Sequence, residues 1–224
     1  MQELAPGVWQ LAGRPRNAIN VYLAGDVLID AGTRHARRRI LRQLAGRPVS
    51  AHALTHAHPD HQGASHAVCV ELGLPLWCGT GDAHAMETPG AIGHSQHPGL
   101  VNRLQQRFWT GPPHAVARRL GDGDEVAGFE VLDVPGHSPG HVAFWRERDR
   151  TLILGDVLNN VDPRTGRVGL REPLAVFTPD PARNRASIRR LAALEPELCA
   201  FGHGPPLRGA ARVLARFAAA LPAD

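Results

Sequence analysis

The chain has 224 residues and an ordinary hydrophobic content of 43%, so we expect a single folded domain over residues 1–224. Its net charge of +4 and pI of 9.7 come from arginines that are scattered along the chain, which gives little support to a nucleic-acid partner. No apolar run has the length of a membrane span and residues 1–6 show no secretory signal, so the expectation is a cytoplasmic protein without a membrane partner.

Predicted strands and helices alternate in the first part of the chain, which favours an α/β arrangement of a sheet covered by helices. The strands are predicted over 21–24, 27–29, 51–55 and 76–78, and the helices over 34–45 and 62–72. The first helix carries a row of arginines that we interpret as a solvated face: Arg34, Arg37, Arg38, Arg39 and Arg42.

Residues 80–120 differ in composition, being rich in glycine, proline and histidine, and only 100–109 is predicted to be helical. We interpret this segment as an insertion over the sheet, and residues 159–178 as a long irregular loop. The insertion contains four histidines, for each of which a solvated surface position is favoured, with one of them a candidate to line the substrate pocket: His84, His94, His97 and His114. The remaining predicted elements are strands over 126–134, 141–146, 151–154 and 198–201, and helices over 181–194 and 210–221.

One dense motif, His56-Ala57-His58-Pro59-Asp60-His61, follows a predicted strand and precedes a predicted helix. The first two histidines stand two positions apart in a tight loop and can direct both imidazoles at one ion, while Asp60 and His61 can face a second. Imidazole and carboxylate are ligands for zinc, manganese or iron(II). The three cysteines form no CxxC pair, so we expect buried free thiols and no sulfur ligands.

Three further polar residues lie in glycine-bracketed turns, each after a predicted strand: His137, Asp156 and His203. The ends of strands in α/β folds meet at one edge of the sheet, where ligand sites form, and glycine allows the backbone to approach an ion closely. With the histidine motif they make seven candidate ligands in four segments, enough for two metal ions and a bridging water.

The segments THAHPDHQG, PGHSPGH, LGD and FGHG, in this order, resemble the metallo-β-lactamase superfamily over residues 17–208. The resemblance implies an αββα sandwich, in which two mixed β-sheets are flanked by helices. It also implies two divalent transition-metal ions, with zinc favoured and iron or manganese as alternatives. Carried over by motif, His56, His58 and His137 would hold the first ion, Asp60, His61 and His203 the second, and Asp156 would bridge them.

The same resemblance implies a hydrolytic mechanism in which two cations lower the pKa of a bridging water, and the resulting hydroxide attacks a carbonyl or phosphorus centre. Asp60 would be the catalytic carboxylate that orients this nucleophile or accepts its proton. Two residues are expected to support the ligands from outside: Asp30, at the end of a predicted strand, and His141, the second histidine of PGHSPGH.

The ligand set looks most like glyoxalase II, but Tyr22 is the only tyrosine, there is no lysine, and only 21 residues follow His203. Glutathione specificity is therefore not favoured, and the leading hypothesis is a dinuclear hydrolase of a small ester, thioester, lactone or phosphoester. One alternative is a persulfide dioxygenase-like enzyme with one iron on His56, His137 and Asp156. The other is a nucleic-acid-processing metallohydrolase, motivated by the pI alone. A homodimer is compatible with the sequence.

Overall fold

Two β-sheets lie face to face in the computed structural model, which describes residues 1–222 apart from the side chain of His94. In this part of the chain the first sheet has seven strands in chain order: β1 (Gln2–Ala5), β2 (Val8–Gln10), β3 (Tyr22–Ala24), β4 (Val27–Ile29), β5 (Ala51–Ala53), β6 (Leu76–Gly79) and β7 (Val116–Leu120). Six described strands form the second sheet: β8 (Glu125–Val126), β9 (Phe129–Asp133), β10 (Val142–Arg146), β11 (Thr151–Gly155), β14 (Leu198–Phe201) and β15 (Leu207–Arg208). A separate hairpin pairs β12 (Asn159–Val161) with β13 (Val168–Arg171).

Both sheets are mixed. In the first, β1 to β4 are antiparallel and β4 to β7 are parallel. In the second, whose spatial order is β15-β14-β11-β10-β9-β8, only β11 and β14 are parallel neighbours among the described strands. Since β10 is antiparallel to both β9 and β11, the carboxyl ends of β9, β11 and β14 lie at one edge. Functional side chains that follow these three strands are therefore brought together.

The core has three layers because side chains alternate across each strand. Along β10, Val142 and Phe144 pack between the two sheets, whereas Ala143 and Trp145 pack outward against helices. Complete burial of a side chain such as Phe144 contributes on the order of 1.5–3 kcal/mol. The helices are α1 (Arg37–Leu44), α2 (Pro59–Gln62), α3 (Ser65–Leu72), α4 (Ala83–Glu87), α5 (Leu100–Trp109), α6 (Pro181–Ala192) and α7 (Ala210–Ala219). Helices α1 and α3 cover the first sheet and α6 and α7 the second, so the predicted αββα sandwich is confirmed.

Two predicted elements are each divided by a glycine. The helix predicted over 62–72 is interrupted at Gly63, where a Cβ atom would lie 2.3 Å from the backbone of both Arg34 and Trp109. The strand predicted over 126–134 is a hairpin, because Ala127 and Gly128 both have positive φ, +52° and +76°, as a tight turn between right-twisted strands requires.

The segments predicted to be irregular contain more structure than expected. Residues 116–120 form the edge strand β7, although two of them are arginines, because the Arg118 guanidinium stacks over the Trp77 ring on β6 and pairs with Asp124. Helix α4 lies in the same segment. Residues 159–171 form the β12–β13 hairpin, whose turn is held by Asp162 through the Arg164 amide. Among the described residues, none of the helices is both long and apolar enough to cross a membrane.

Candidate metal centre

The seven candidate ligands meet at the sheet edge formed by the ends of β5, β9, β11 and β14. Three groups of donor atoms, within each of which all atoms lie within 4.8 Å of one another, are found there. The groups are His56, His58 and His137; His56, His61 and Asp156; and Asp60, His61 and His203.

Asp156 lies between the imidazoles of the two outer groups. Its Oδ1 atom is 3.5 Å from His61 Nε2, and its Oδ2 atom is 3.6 Å from His137 Nε2 and 3.0 Å from His203 Nε2. His203 Nε2 is also 3.3 Å from Asp60 Oδ2, so two carboxylates lie close to the same nitrogen of that ring. The arrangement therefore has one carboxylate shared by both halves of the cluster.

Hydrogen bonds on the outer side of three imidazoles set which nitrogen carries the proton. His56 Nδ1 lies 3.0 Å from Thr55 Oγ1, and His61 Nδ1 lies 2.9 Å from Asp30 Oδ2. Since Thr55 Oγ1 itself donates to Asp30, it accepts from His56 Nδ1. His137 Nδ1 lies 3.1 Å from Thr178 Oγ1. In the neutral form of all three rings, Nε2 carries the lone pair and faces the centre.

The fourth and fifth rings are held by backbone carbonyls. His58 Nε2 donates to Ser95 O at 3.0 Å, because a carbonyl only accepts, and its Nδ1 atom therefore faces the cluster. His203 Nδ1 donates in the same way to Ala18 O. Both contacts come from segments far from these histidines in sequence.

The inward-facing atoms fit bound cations. His56 Nε2, His61 Nε2, His137 Nε2 and Asp156 Oδ1 are buried and have no hydrogen-bond partner among the described residues. Leaving such an atom unsatisfied costs about 1–3 kcal/mol, and these four converge on one place. Nitrogen and oxygen donors of this kind match zinc, iron or manganese, so the residues present can hold metal ions.

The histidines in the two halves of the cluster have pKa values shifted in opposite directions. Burial and then neighbouring imidazoles hold the pKa of His56 well below its usual value, and His137 behaves in the same way. Burial also acts to lower the pKa of His61, but Asp156, Asp30 and Asp60 outweigh it and raise this pKa to about 10. One half of the site therefore offers neutral imidazoles, while the other holds negative charge that requires protons or cations to balance it.

The two residues expected to support the ligands contact them directly. Asp30, at φ +60°, accepts hydrogen bonds from the Thr55 amide at 2.8 Å and from His61. His141 Nε2 accepts from the Asp156 amide at 3.1 Å, and its ring stacks on His56 with 4.6 Å between centroids. Asp30 thus orients the imidazole of His61 directly and that of His56 through Thr55. His141 fixes the backbone of Asp156.

A further buried carboxylate, Asp82, was missed from the sequence. Its Oδ2 atom accepts from the Ala57 amide at 2.8 Å and from Ser138 Oγ at 2.7 Å, and Oδ1 accepts from the Gly140 amide at 2.8 Å. It therefore joins the loop of His56 and His58 to the loop of His137. The available signal was Gly81-Asp82 after a strand, the same pattern as Gly155-Asp156.

The cluster opens into a cavity of about 360 Å³, which we call the metal cavity. His58, Asp60, His137, Asp156 and His203 line it, together with apolar side chains from the insertion, the 159–178 segment and the loop before β3. Described insertion residues that line the cavity are Gln96, Gln105 and Trp109, whereas the side chains of His84, His97 and His114 do not. The side chain of His94 lies outside the described residues. The other lining residues are Pro15, Ala18, Ile19, Asn159, Pro163, Pro173, Leu174 and Phe177.

An αββα sandwich with a buried histidine and aspartate cluster at its edge defines a class of metal-dependent hydrolases. A sequence model of the metallo-beta-lactamase superfamily matches residues 14–203, and the chain belongs to this superfamily. The resemblance predicted from the four motifs is thereby confirmed.

Relatives and solved structures agree with this assignment. The chain is 30% identical to the probable metallo-hydrolase YflN of Bacillus subtilis, over 92% of this chain and 87% of YflN. It is similar to the metallo-beta-lactamase family protein TTHA1429 from Thermus thermophilus, with 29% identity, a TM-score of 0.69, and coverage of 97% and 80% of the two chains. It is also similar to TTHA1623 in a di-iron-bound form, with 33% identity, a TM-score of 0.63, and coverage of 94% and 95%.

A more local similarity is to a relative whose name states an activity. The hydroxyacylglutathione hydrolase of Methylococcus capsulatus is 34% identical, over 46% of this chain and 32% of that enzyme.

Proposed function

We propose that this protein is a dinuclear metal-dependent hydrolase of small ester, thioester, lactone or phosphoester substrates. His56, His58 and His137 would hold one ion, Asp60, His61 and His203 the other, and Asp156 both. The observation that carries the proposal is the position of Asp156, whose two oxygens face imidazoles of both halves of the cluster. The unpartnered Nε2 atoms around it support the same assignment.

Zinc remains the favoured metal, and the di-iron form of a 33% identical structure supports iron as the first alternative. Divalent cations bound here would supply Lewis acidity and make a water-derived nucleophile available near neutral pH. A single-iron, dioxygenase-like site would need only His56, His137 and Asp156. The presence of the other four donors in the same cluster favours the dinuclear hydrolase.

The side chains in and around the metal cavity have different roles in the proposed reaction: orienting water, excluding bulk solvent and positioning a ligand. Asp60 lines the metal cavity, where its carboxylate would orient the attacking water by accepting a hydrogen bond. Trp109, Leu174 and Phe177 form apolar walls that would exclude bulk water from the scissile bond. Asp30 holds the ring of His61, so that its Nε2 atom stays directed at the centre.

The substrate class follows from the size and lining of the metal cavity. A volume of about 360 Å³ suits a small molecule, and the similarity to a hydroxyacylglutathione hydrolase supports a thioester among the candidates. Glutathione itself is not favoured, because Tyr22, the one tyrosine of the chain, is buried and donates to Phe201 O at 2.6 Å. It is therefore not available to bind substrate in the cavity.

The test combines elemental analysis of the purified protein with a panel of chromogenic esters, thioesters, lactones and phosphoesters. We expect two transition-metal ions per chain and hydrolysis of at least one substrate class. His58→Ala should lower kcat/KM by more than the roughly 10–100-fold that loss of an outer partner costs. His84→Ala, a change of an exposed histidine outside the cavity, should leave activity unchanged.

Three results would contradict the proposal. They are a protein that binds no metal, activity that survives His58→Ala, and oxygen uptake with a persulfide by the iron-loaded protein in place of hydrolysis.

A further inference from the structure

A second cavity, of about 640 Å³, lies beside the metal cavity. The two cavities share the lining residues Pro15, Ala18 and Ile19, all from the segment between β2 and β3. We call the second one the arginine cavity, since it is lined by Arg14, Arg39 and Arg42, together with Thr33, His35 and Gln43.

The arginine cavity is positively charged. Among the described residues, none that lines the cavity is an aspartate or glutamate, and no carboxylate lies within 4.0 Å of the guanidinium of Arg14, Arg39 or Arg42. Arg37 lies on helix α1 with Arg39 and Arg42 but differs from them, because it forms an ion pair with Glu71. The arginine row of this helix is thus not one uniform solvated face, since Arg39 is half-buried and Arg39 and Arg42 line a cavity.

The segment that lines both cavities is held by hydrogen bonds from two directions. On one side, Arg39 Nη1 donates to Ala12 O at 2.6 Å, and Gln43 Oε1 accepts from the Ala12 amide at 2.7 Å. On the other side, Ala18 O accepts from His203 Nδ1 in the metal centre. The segment from Ala12 to Ala18 is therefore hydrogen-bonded at both ends, which holds the boundary that the two cavities share beside the metal centre.

The two cavities differ in chemistry. Among the described residues no arginine lines the metal cavity, whose walls are largely apolar, whereas three arginines line the arginine cavity. Guanidinium groups bind phosphate and carboxylate through paired hydrogen bonds. Burial lowers the pKa of Arg39, and partial removal from water also strengthens its attraction to an anion.

We propose that the substrate is an ester or thioester whose end remote from the scissile bond carries an oxyanion group, phosphate or carboxylate, and that this group binds in the arginine cavity. The inference rests on the proposed hydrolase function and adds the class of substrate to it. Arg14, Arg39 and Arg42 are the residues that select the anionic end.

The experiment uses the metal-loaded protein and a series of thioesters that end in phosphate, carboxylate or a neutral hydroxyl, joined by linkers of increasing length. We expect one linker length at which an anionic end raises kcat/KM about tenfold or more over the hydroxyl. The double variant Arg14→Gln/Arg42→Gln should abolish this preference while retaining hydrolysis of the hydroxyl-ended substrate. The matched control is Arg38→Gln, the same change at an exposed residue of α1 that does not line the cavity.

Binding is measured separately by calorimetry with a phosphate-ended thioether, which cannot be hydrolysed. The inference is supported if binding of the thioether weakens about tenfold in Arg14→Gln/Arg42→Gln but not in Arg38→Gln. This holds even if the protein hydrolyses none of the thioesters. Absence of hydrolysis would count against the hydrolase proposal alone. The inference is overturned if no linker length shows a preference and the thioether binds both variants equally. It is also overturned if Arg38→Gln has the same effect as the double variant. The same holds if removal of the metals abolishes binding of the thioether whereas Arg14→Gln/Arg42→Gln leaves that binding unchanged.

Discussion

Asp82 Oδ2 accepts a hydrogen bond from the Ala57 backbone amide at 2.8 Å, in the middle of the loop that presents His56 and His58. The same carboxylate accepts from Ser138 and Gly140 in the loop of His137. One buried side chain therefore sets the spacing of two ligand-bearing loops without itself facing the metal cavity.

We predict that Asp82→Ala lowers both stability and metal affinity. Three buried donors would lose their acceptor, at about 1–3 kcal/mol each, so the free energy of unfolding should fall by roughly 3 kcal/mol or more. The measurements are urea unfolding and a competition assay for bound metal. Asp122→Ala removes an exposed acceptor and ion pair with Arg190 and should cost no more than about 1 kcal/mol. Equal losses in the two variants would refute a special role for Asp82.

Gly202→Ala should damage the metal centre through steric contact alone. A Cβ atom at Gly202 would lie 1.9 Å from Asp156 Oδ1 and 2.8 Å from His61 Cε1, so the shared carboxylate must move. We expect at least a roughly tenfold loss of metal affinity, by analogy with loss of an outer partner, with the helical and strand content retained. The readouts are a metal competition assay and circular dichroism. Gly121→Ala, where a Cβ atom meets nothing within 4 Å, is the control and should bind metal normally.

Thr178→Val tests the hydrogen bond that orients His137. Thr178 Oγ1 donates to Leu174 O and therefore accepts from His137 Nδ1, which fixes Nε2 as the inward-facing lone pair. Valine keeps the shape and removes the acceptor, so metal affinity should fall about 10–100-fold. Thr165→Val, in the exposed turn of the β12–β13 hairpin, is the matched change. Unaltered affinity in Thr178→Val would show that the ring is oriented by packing alone.

His52 should make stability depend on pH between 6.5 and about 4. Burial lowers the pKa of His52 from 6.5 to about 4, and the ring contacts Leu28 O and Ser65 Oγ. In this interval the unfolded chain binds a proton that the folded protein does not, so stability is highest above pH 6.5 and falls as the pH is lowered towards 4. The loss is about 3 kcal/mol.

Urea unfolding of the wild type and of His52→Gln across this interval measures the effect, because the metal centre is common to both proteins and its contribution cancels. The difference between them should shrink by about 3 kcal/mol on acidification. His84→Gln, at an exposed position, should follow the wild type. A constant difference between wild type and His52→Gln would exclude this residue as the source.

The family could be predicted from the order of amino acids, and so could the candidate ligands that the structure brings together. His56, His58, Asp60 and His61 stand in one short motif, and His137, Asp156 and His203 each follow a strand in a glycine-bracketed turn. Metal binding requires these residue types, and each turn is formed by neighbouring residues. Both features can therefore be recognised in the sequence without knowledge of the fold. The layered α/β architecture was predictable for the same reason, since strand and helix periodicity are properties of short segments.

The contacts that hold the candidate ligands, and the residues that surround them, became visible only in the folded chain. Asp82, Ser95 and Thr178 contact ligands or ligand loops that are distant in sequence, and no local pattern marks such pairs. The edge strand β7 escaped prediction because its Arg118 is stabilised by residues of other segments, Trp77 and Asp124. The arginines of α1 looked like a solvated face, and their cavity forms only where the segment between β2 and β3 packs against the helix. The residue type determines which groups a side chain can bind, whereas packing between distant segments determines which residues it contacts.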